Sequence, residues 1–330
     1  MNSVLTCMVS DQLGPGVRLD EFTSELARRL DGASAIAVRE YERAITLAFD
    51  SLGLGSGDKL LISPLAPAVY ADVLRARKIE PVFCEVDQST GMLDIDMAER
   101  IVGDASPKAV LLDCPLGAAD SLVRFKQLDI PIVEDASHGL GAGEDSPTIG
   151  TIGRYTILSL EPEAVFTTGG GAALVARGRA ERSALKKAVE SLRPTALLPD
   201  MNAALGLAQM RSLESYIARR REVADLFRRS AMRGRHRSLA GSESSVPFAF
   251  PVLLDGAAKD VIGYARKKDV EVVWAFAESV MAIADSWGAC TAEAFPNASA
   301  LLLRCVLFPL YPTLTKGDVE RISRVLSTLP

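Results

Sequence analysis

Glu134 and Asp135 close an apolar run in VEDASHGLGA, residues 133–142, and an imidazole, His138, follows three places after the second acid. An acid at the end of a buried strand can stabilise a cationic heteroaromatic nitrogen, and the small residues after it let a flat ligand approach the backbone. A neighbouring imidazole can hydrogen-bond a substituent on such a ring. The same spacing fits a plainer reading, in which Asp135 caps the next turn and His138 is a satisfied, semi-buried histidine. Spacing alone leaves both open.

A second stretch, LSLEPEAVFTTGGG (residues 158–171), has the form of a strand end running into a glycine-floored site, yet it contains no lysine, histidine or cysteine. Its three glycines permit close approach of a ligand or of another backbone, and no G-K-[ST] phosphate signature follows them.

The elements that must position these residues alternate along the chain. KLLISPL, EPVFCEVD, KAVLLDCP, IPIVEDAS and YTILSL are short apolar runs closed by polar residues or proline, which reads as strands. Segments of helical spacing such as APAVYADVLRARK and LDIDMAERIVGD lie between them. Strands and helices in alternation predict an α/β fold with a mainly parallel sheet, and ligands in such sheets sit beyond the carboxyl ends of the strands, where Asp135 and Ser159 fall. A long helical run follows Pro199 and leads to a strand signal, VPFAFPVLL, and then to Thr315 and Asp318, spaced as a helix-capping pair. With ~150 residues per domain as a guide, the 330-residue chain divides into residues 1–200 and 201–330. Arg219, Arg220, Arg221, Arg228 and Arg229 could form a nucleic-acid patch, but the favoured expectation is a solvated helix face on which Glu214, Glu222 and Asp225 supply partners.

A formal net charge of −5 argues against nucleic-acid or anionic-membrane partners. The first residues carry neither a basic n-region nor a sustained apolar run, so the protein is expected in the cytoplasm. The five cysteines, without a C-x-x-C, read as buried free thiols, and two histidines cannot build a His-based metal cluster.

Taken in order, EFTSELARRLDGASAIAV, LAFDSLGLGSGDKLLISP, EPVFCEVDQSTGMLDIDMAERI, PIVEDASHGLGAG, AALGLAQMRSLESYIARRREVADLFRR and FPLYPTLTKGDVERI resemble the DegT/DnrJ/StrS sugar aminotransferases over nearly the whole chain. The resemblance implies the aspartate-aminotransferase-like fold, pyridoxal phosphate (PLP) as cofactor, a homodimer and nucleotide-linked keto sugars as substrates. It puts the family's pyridine-pairing acid on Asp135, the ring-contacting residue on His138, and the serine five places before the catalytic lysine on Ser159. The lysine position is then Ala164.

Three further positions depart from the family. A Ser-Gly-Thr helix start that holds the cofactor phosphate reads Glu40, Tyr41, Glu42; the ring-stacking aromatic falls on Ala66; and a common arginine is Leu197. A helix N-terminus favours anions, so a glutamate there is expected to satisfy the free N–H groups itself and to repel phosphate. The expectation is a degenerate aminotransferase-like protein without transaminase activity, binding a ligand or pairing with an aminotransferase paralogue. The alternatives are a lysine-free, dehydratase-like PLP enzyme using His138, or a working sugar aminotransferase.

Overall fold

A computed structural model describes residues 2–10, 13–119, 121–143, 147–232, 234–239, 245–286 and 290–330. Its strands are β1 (Ser34–Val38), β2 (Lys59–Ile62), β3 (Glu80–Phe83), β4 (Ala109–Asp113), β5 (Ile132–Asp135), β6 (Tyr155–Ser159), β7 (Ala172–Ala176), β8 (Arg237–Ser238), β9 (Phe250–Leu253), β10 (Val273–Trp274) and β11 (Cys305–Phe308). Seven of them form one sheet in the order β1-β7-β6-β5-β4-β2-β3, and four form a second in the order β10-β11-β9-β8. The six expected strands are all present, each shorter than the apolar run that announced it. In the larger sheet β3, β2, β4, β5 and β6 run parallel, while β7 is antiparallel to both β6 and β1.

The sheet is covered on both faces, which is why its strands read as continuous apolar runs. Along β4, Val110 and Leu112 enter one core with Phe22 and Leu26, and Ala109 and Leu111 enter the other with Phe49 and Tyr70. Because side chains alternate with period two, Asp113, Asp135 and Ser159 continue the face of Leu111, Val133 and Ile157. Three polar groups therefore end adjacent parallel strands on one side of the sheet, at their carboxyl ends. Glu134 points to the opposite side, so the two acids of VEDASHGLGA do not act together. Its buried carboxylate accepts N–H bonds from Gly150 (2.6 Å), Ile152 (3.0 Å) and Gly153 (3.0 Å) and pins that turn.

The glycine run is a turn packed against its own chain. Gly169, Gly170 and Gly171 all have positive φ. A Cβ on Gly171 would lie 2.6 Å from Leu198 Cδ1 and 2.7 Å from the Val38 carbonyl oxygen. It is another backbone that comes close, as β7 enters the sheet. β1 and β7, SAIAV and AALVA, were not among the expected strands because alanine-rich runs carry a weak strand signal.

The helix Asp200–Ala231 joins the two cores: Ala203, Met210, Leu213 and Ile217 pack in the first, and Val223, Ala224, Phe227 and Ala231 pack against β9 and β11. Its arginines correct the expectation of a solvated face. Arg219 and Arg228 do pair with Glu222 and Asp225, but Glu214 pairs with Arg29. Arg220 is 5% exposed and donates to the carbonyls of Phe248 (2.7 Å) and Leu310 (2.6 Å). Burial lowers its pKa to about 10. Arg221 donates to the Ser245 carbonyl at 3.0 Å. Both side chains tie the helix to loops of the smaller sheet.

The Thr315 and Asp318 pair forms the expected capping box on the helix Lys316–Leu326, and all five cysteines are free and buried. Among the described residues no helix is long and apolar enough to cross a membrane.

Asp200 links distant segments by a cap. Its buried carboxylate accepts from the N–H groups of Gly16 (2.8 Å), Arg18 (3.2 Å) and Leu19 (2.9 Å), at the start of the helix Val17–Arg29. An acid there satisfies free N–H groups and the helix dipole together. Asp200→Ala is expected to cost about 2 kcal/mol, read as a lower urea midpoint with unchanged slope. An unchanged midpoint would show that water replaces the cap.

Candidate functional site

A cleft of about 1080 Å³ opens at the carboxyl ends of β4, β5 and β6, with Asp113, Asp135, His138, Ser159 and Ala164 in its lining. The wall opposite is built by the smaller sheet and the segment leading out of β10. That segment is stitched to the loop after β2, where Ala68 N–H donates to the Glu278 carbonyl and Val280 N–H to the Ala66 carbonyl, each at 2.8 Å. Of the residues singled out in the sequence, Tyr41, Asp135, His138, Ser159 and Ala164 line this cleft, whereas Ala66 is fully buried and Glu40 lines a separate surface hollow.

Asp135 is the most heavily bonded group on the floor. One carboxylate oxygen accepts from Ser137, through its backbone N–H at 3.1 Å and its hydroxyl at 2.5 Å. The other accepts from the hydroxyls of Tyr70, at 2.7 Å, and of Tyr41. Ser159 N–H donates in turn to the Ser137 hydroxyl oxygen at 2.7 Å, so β6 hangs on the same network. Tyr41 and Tyr70 meet edge to face, ring centres 6.1 Å apart. Burial, and then the charge of Asp135, push both phenols well above their usual pKa, so they stay protonated donors.

Tyr41 comes from EYE, the segment standing where the family has Ser-Gly-Thr. It is the first residue of the helix Tyr41–Leu52, preceded by the extended Glu40. The expectation that a glutamate satisfies this helix start is corrected: Glu40 makes no side-chain cap bond, and Glu40 and Glu42 are both exposed. It is the neighbouring phenol that turns inward. Glu40 instead lines a surface hollow with Arg39, Arg43 and Arg193.

His138 is half-buried, and its imidazole stacks on Phe248 with ring centres 4.2 Å apart and planes 22° apart. Burial lowers its pKa, against the opposing pull of Asp135 and Glu163, and so favours the neutral ring. Ala164 sits in the turn after β6, its N–H bonded to the Glu161 carbonyl at 3.1 Å.

Four residues of the site were not foreseen: Tyr41 as a donor, Tyr70, Phe248 and Asp113. Asp113 had a visible signal, since LLDCP ends a strand in an acid as IVEDAS does, and the two strands lie in register with Asp113 opposite Asp135. It is 4% exposed, and among the described residues neither of its carboxylate oxygens has a hydrogen-bond partner. Burial, then the charge of Asp135, raises its pKa to about 7. The two adjacent acids are treated unequally, one with four donors and one with none.

Residues 1–327 match the model of the DegT/DnrJ/EryC1/StrS aminotransferase family. The chain is 25% identical over 260 residues, 69% of its own length and 67% of the relative's, to the dTDP-4-dehydro-2,3,6-trideoxy-D-glucose 4-aminotransferase of Saccharopolyspora spinosa. Among solved structures it is similar to a Streptococcus pneumoniae protein assigned as a sugar aminotransferase, in its PMP-form, with TM-score 0.88, 18% identity and 99% and 93% of the two chains covered. It is also similar to a variant of GDP-4-keto-6-deoxymannose-3-dehydratase (ColD) with bound GDP-perosamine, with TM-score 0.86, 17% identity and 98% and 96% covered.

The inequality of the two acids has a thermodynamic consequence. Because folding raises the pKa of Asp113, its contribution to stability is complete below the unfolded value of about 3.9 and is lost as pH rises towards about 7. Asp113→Asn is expected to be more stable than the parent at pH 8, by up to about 4 kcal/mol, with the gap closing towards pH 4. Urea unfolding at several pH values checks this. Parallel stability curves for the two proteins would contradict it.

Proposed function

The chain belongs to the DegT/DnrJ/EryC1/StrS aminotransferase family, and from that premise we propose that it keeps the family fold without transamination and acts as a ligand-binding or partner subunit. The observation that carries this reading is the saturated carboxylate of Asp135. A pyridine N–H paired with this acid must displace donors already in place. Hydrogen bonds to a charged group contribute about 1.5–3 kcal/mol each, so the exchange gains little.

The surrounding residues also do not fit PLP. Ala164 has no amine to carry the cofactor's carbonyl carbon, and an exchangeable imine to lysine is what transamination requires. Ala66 offers no stacking face. A phenol stands where the family offers small donors to the phosphate. No chemical step is therefore routed through the cofactor.

Lysine-free chemistry is the second reading. It draws on one observation: His138 lines the cleft with its neutral form favoured, which suits a proton acceptor. A working transaminase needs a lysine from elsewhere, such as a partner chain.

Residues 1–200 in this reading form the unit that carries Asp135, His138 and Ser159, and residues 201–330 the unit that closes the cleft with Phe248. Partnering, as a homodimer or with an aminotransferase paralogue, is supported by the apolar side chains of Leu5, Met8, Val9, Leu13 and Val17, all exposed near the N-terminus. Family membership suggests a nucleotide-linked sugar as ligand, and no nucleic acid or membrane partner is proposed. The acidic composition and the absence of a spanning helix among the described residues suit a cytoplasmic protein.

Titration with PLP is expected to give neither an aldimine absorbance band nor a borohydride-reducible mass adduct. Ala164→Lys alone is expected to leave that result unchanged, because stacking and phosphate contacts are missing as well. A reducible adduct on the native protein would refute the proposal and point to a transaminase.

A further inference from the structure

The cleft is lined by seven carboxylates. Asp113 and Asp135 lie on its floor, and Glu161, Glu163, Asp269, Glu271 and Glu278 are on its lining as well, while Arg266 is the one guanidinium among the described lining residues. Among the described residues none of the seven is ion-paired with a lysine or arginine. A concave surface with charges of one sign and low-dielectric walls focuses the field and concentrates ions of the opposite sign. It also opposes a phosphate or diphosphate.

Acidic rims are common on solvated surfaces, and what sets this one apart is the group beneath it. Asp113 is 4% exposed, lines the cleft and, among the described residues, has no hydrogen-bond partner on either oxygen. Nearly all buried polar groups are paired, so an orphaned carboxyl in a cleft wall lacks a donor that something else must supply. The chain itself has spent its nearby donors on Asp135: two phenols, one hydroxyl and one N–H. An ammonium group has three donors and a full positive charge, and fits a floor of two adjacent carboxyls, one of them unsatisfied.

We propose that the cleft binds a small organic cation, an amine or polyamine without phosphate, with an ammonium group seated against Asp113 and further positive charge facing the lining glutamates. This rests on the reading of the cleft as a binding site without cofactor chemistry, and it replaces the nucleotide-linked sugar as the ligand. The other lining acids steer the cation inwards, and Asp113 holds it. The imidazole of His138, stacked on Phe248, and the exposed Trp274 supply flat faces beside the path. Aromatic faces favour organic cations over inorganic ones.

The test is isothermal titration of the full chain with spermidine as probe, beside triacetylspermidine, which has the same chain without the charges. Spermidine is expected to bind one to one, and triacetylspermidine not at all. Asp113→Asn, which keeps the shape, is expected to weaken spermidine by about 10-fold or more. Glu163→Gln combined with Glu278→Gln, both exposed and harmless to folding, is expected to weaken it several-fold, and it decides the matter should Asp113→Asn fail to fold. Equal binding by Asp113→Asn and the parent would overturn the proposal, since the affinity would then belong to the general acidic surface. So would the absence of binding at millimolar spermidine, or tighter binding of a nucleotide sugar. None of these outcomes touches the proposed loss of transamination, which fails only if PLP forms a reducible adduct.

Discussion

The carboxylate of Asp135 holds together four parts of the protein: the end of β5, the start of the helix Tyr41–Leu52, the helix Val69–Arg77 that carries Tyr70, and, through Ser137, the end of β6. Four donors converge on two oxygens in a buried site, where charge-assisted hydrogen bonds are strong and a missing partner is costly. This concentration of donors has a cost one strand away. Asp113, in register with Asp135 and equally buried, receives none and is held near neutrality. The electrostatic character of the cleft follows from that division, with a saturated carboxylate beside an unsatisfied acid and, among the described residues, a rim of glutamates without ion-pair partners.

Much of the fold was legible in the chain. Apolar runs buried on both faces announced the parallel strands, and strand ends in Asp135 and Ser159 announced where a cleft would open. Thr315 and Asp318 declared a helix start through local chemistry alone. What escaped was set by tertiary context. β1 and β7 are alanine-rich strands stabilised by their neighbours, and the glycines before β7 serve a turn whose tight approach to Val38 and Leu198 is invisible in a linear text. Arg220 looked like one of a row of surface charges, yet its step of about 100° from Arg219 around the helix carries it inside, where its Nη1 donates to backbone carbonyls.

The candidate site divides in the same way. Residues that end strands could be placed by counting, and Asp135, His138, Ser159 and Ala164 do share one cleft. The partners of those residues could not. That a phenol from EYE would turn inward while both flanking glutamates face solvent depends on the geometry of the helix start. Phe248 reaches His138 from a segment more than a hundred residues away. In the proposed reading, a chain that matches an aminotransferase family over residues 1–327 keeps the scaffold, while the contacts around Asp135 form a closed internal network. Fold and function part at the site, because activity resides in a few groups and the fold in many.

The most direct measurement of that network is a crystal structure grown with a large excess of PLP. Both tyrosine hydroxyls are expected on Asp135, with no pyridine ring in the cleft. A ring with its nitrogen against Asp135, and Tyr41 swung away, would contradict it.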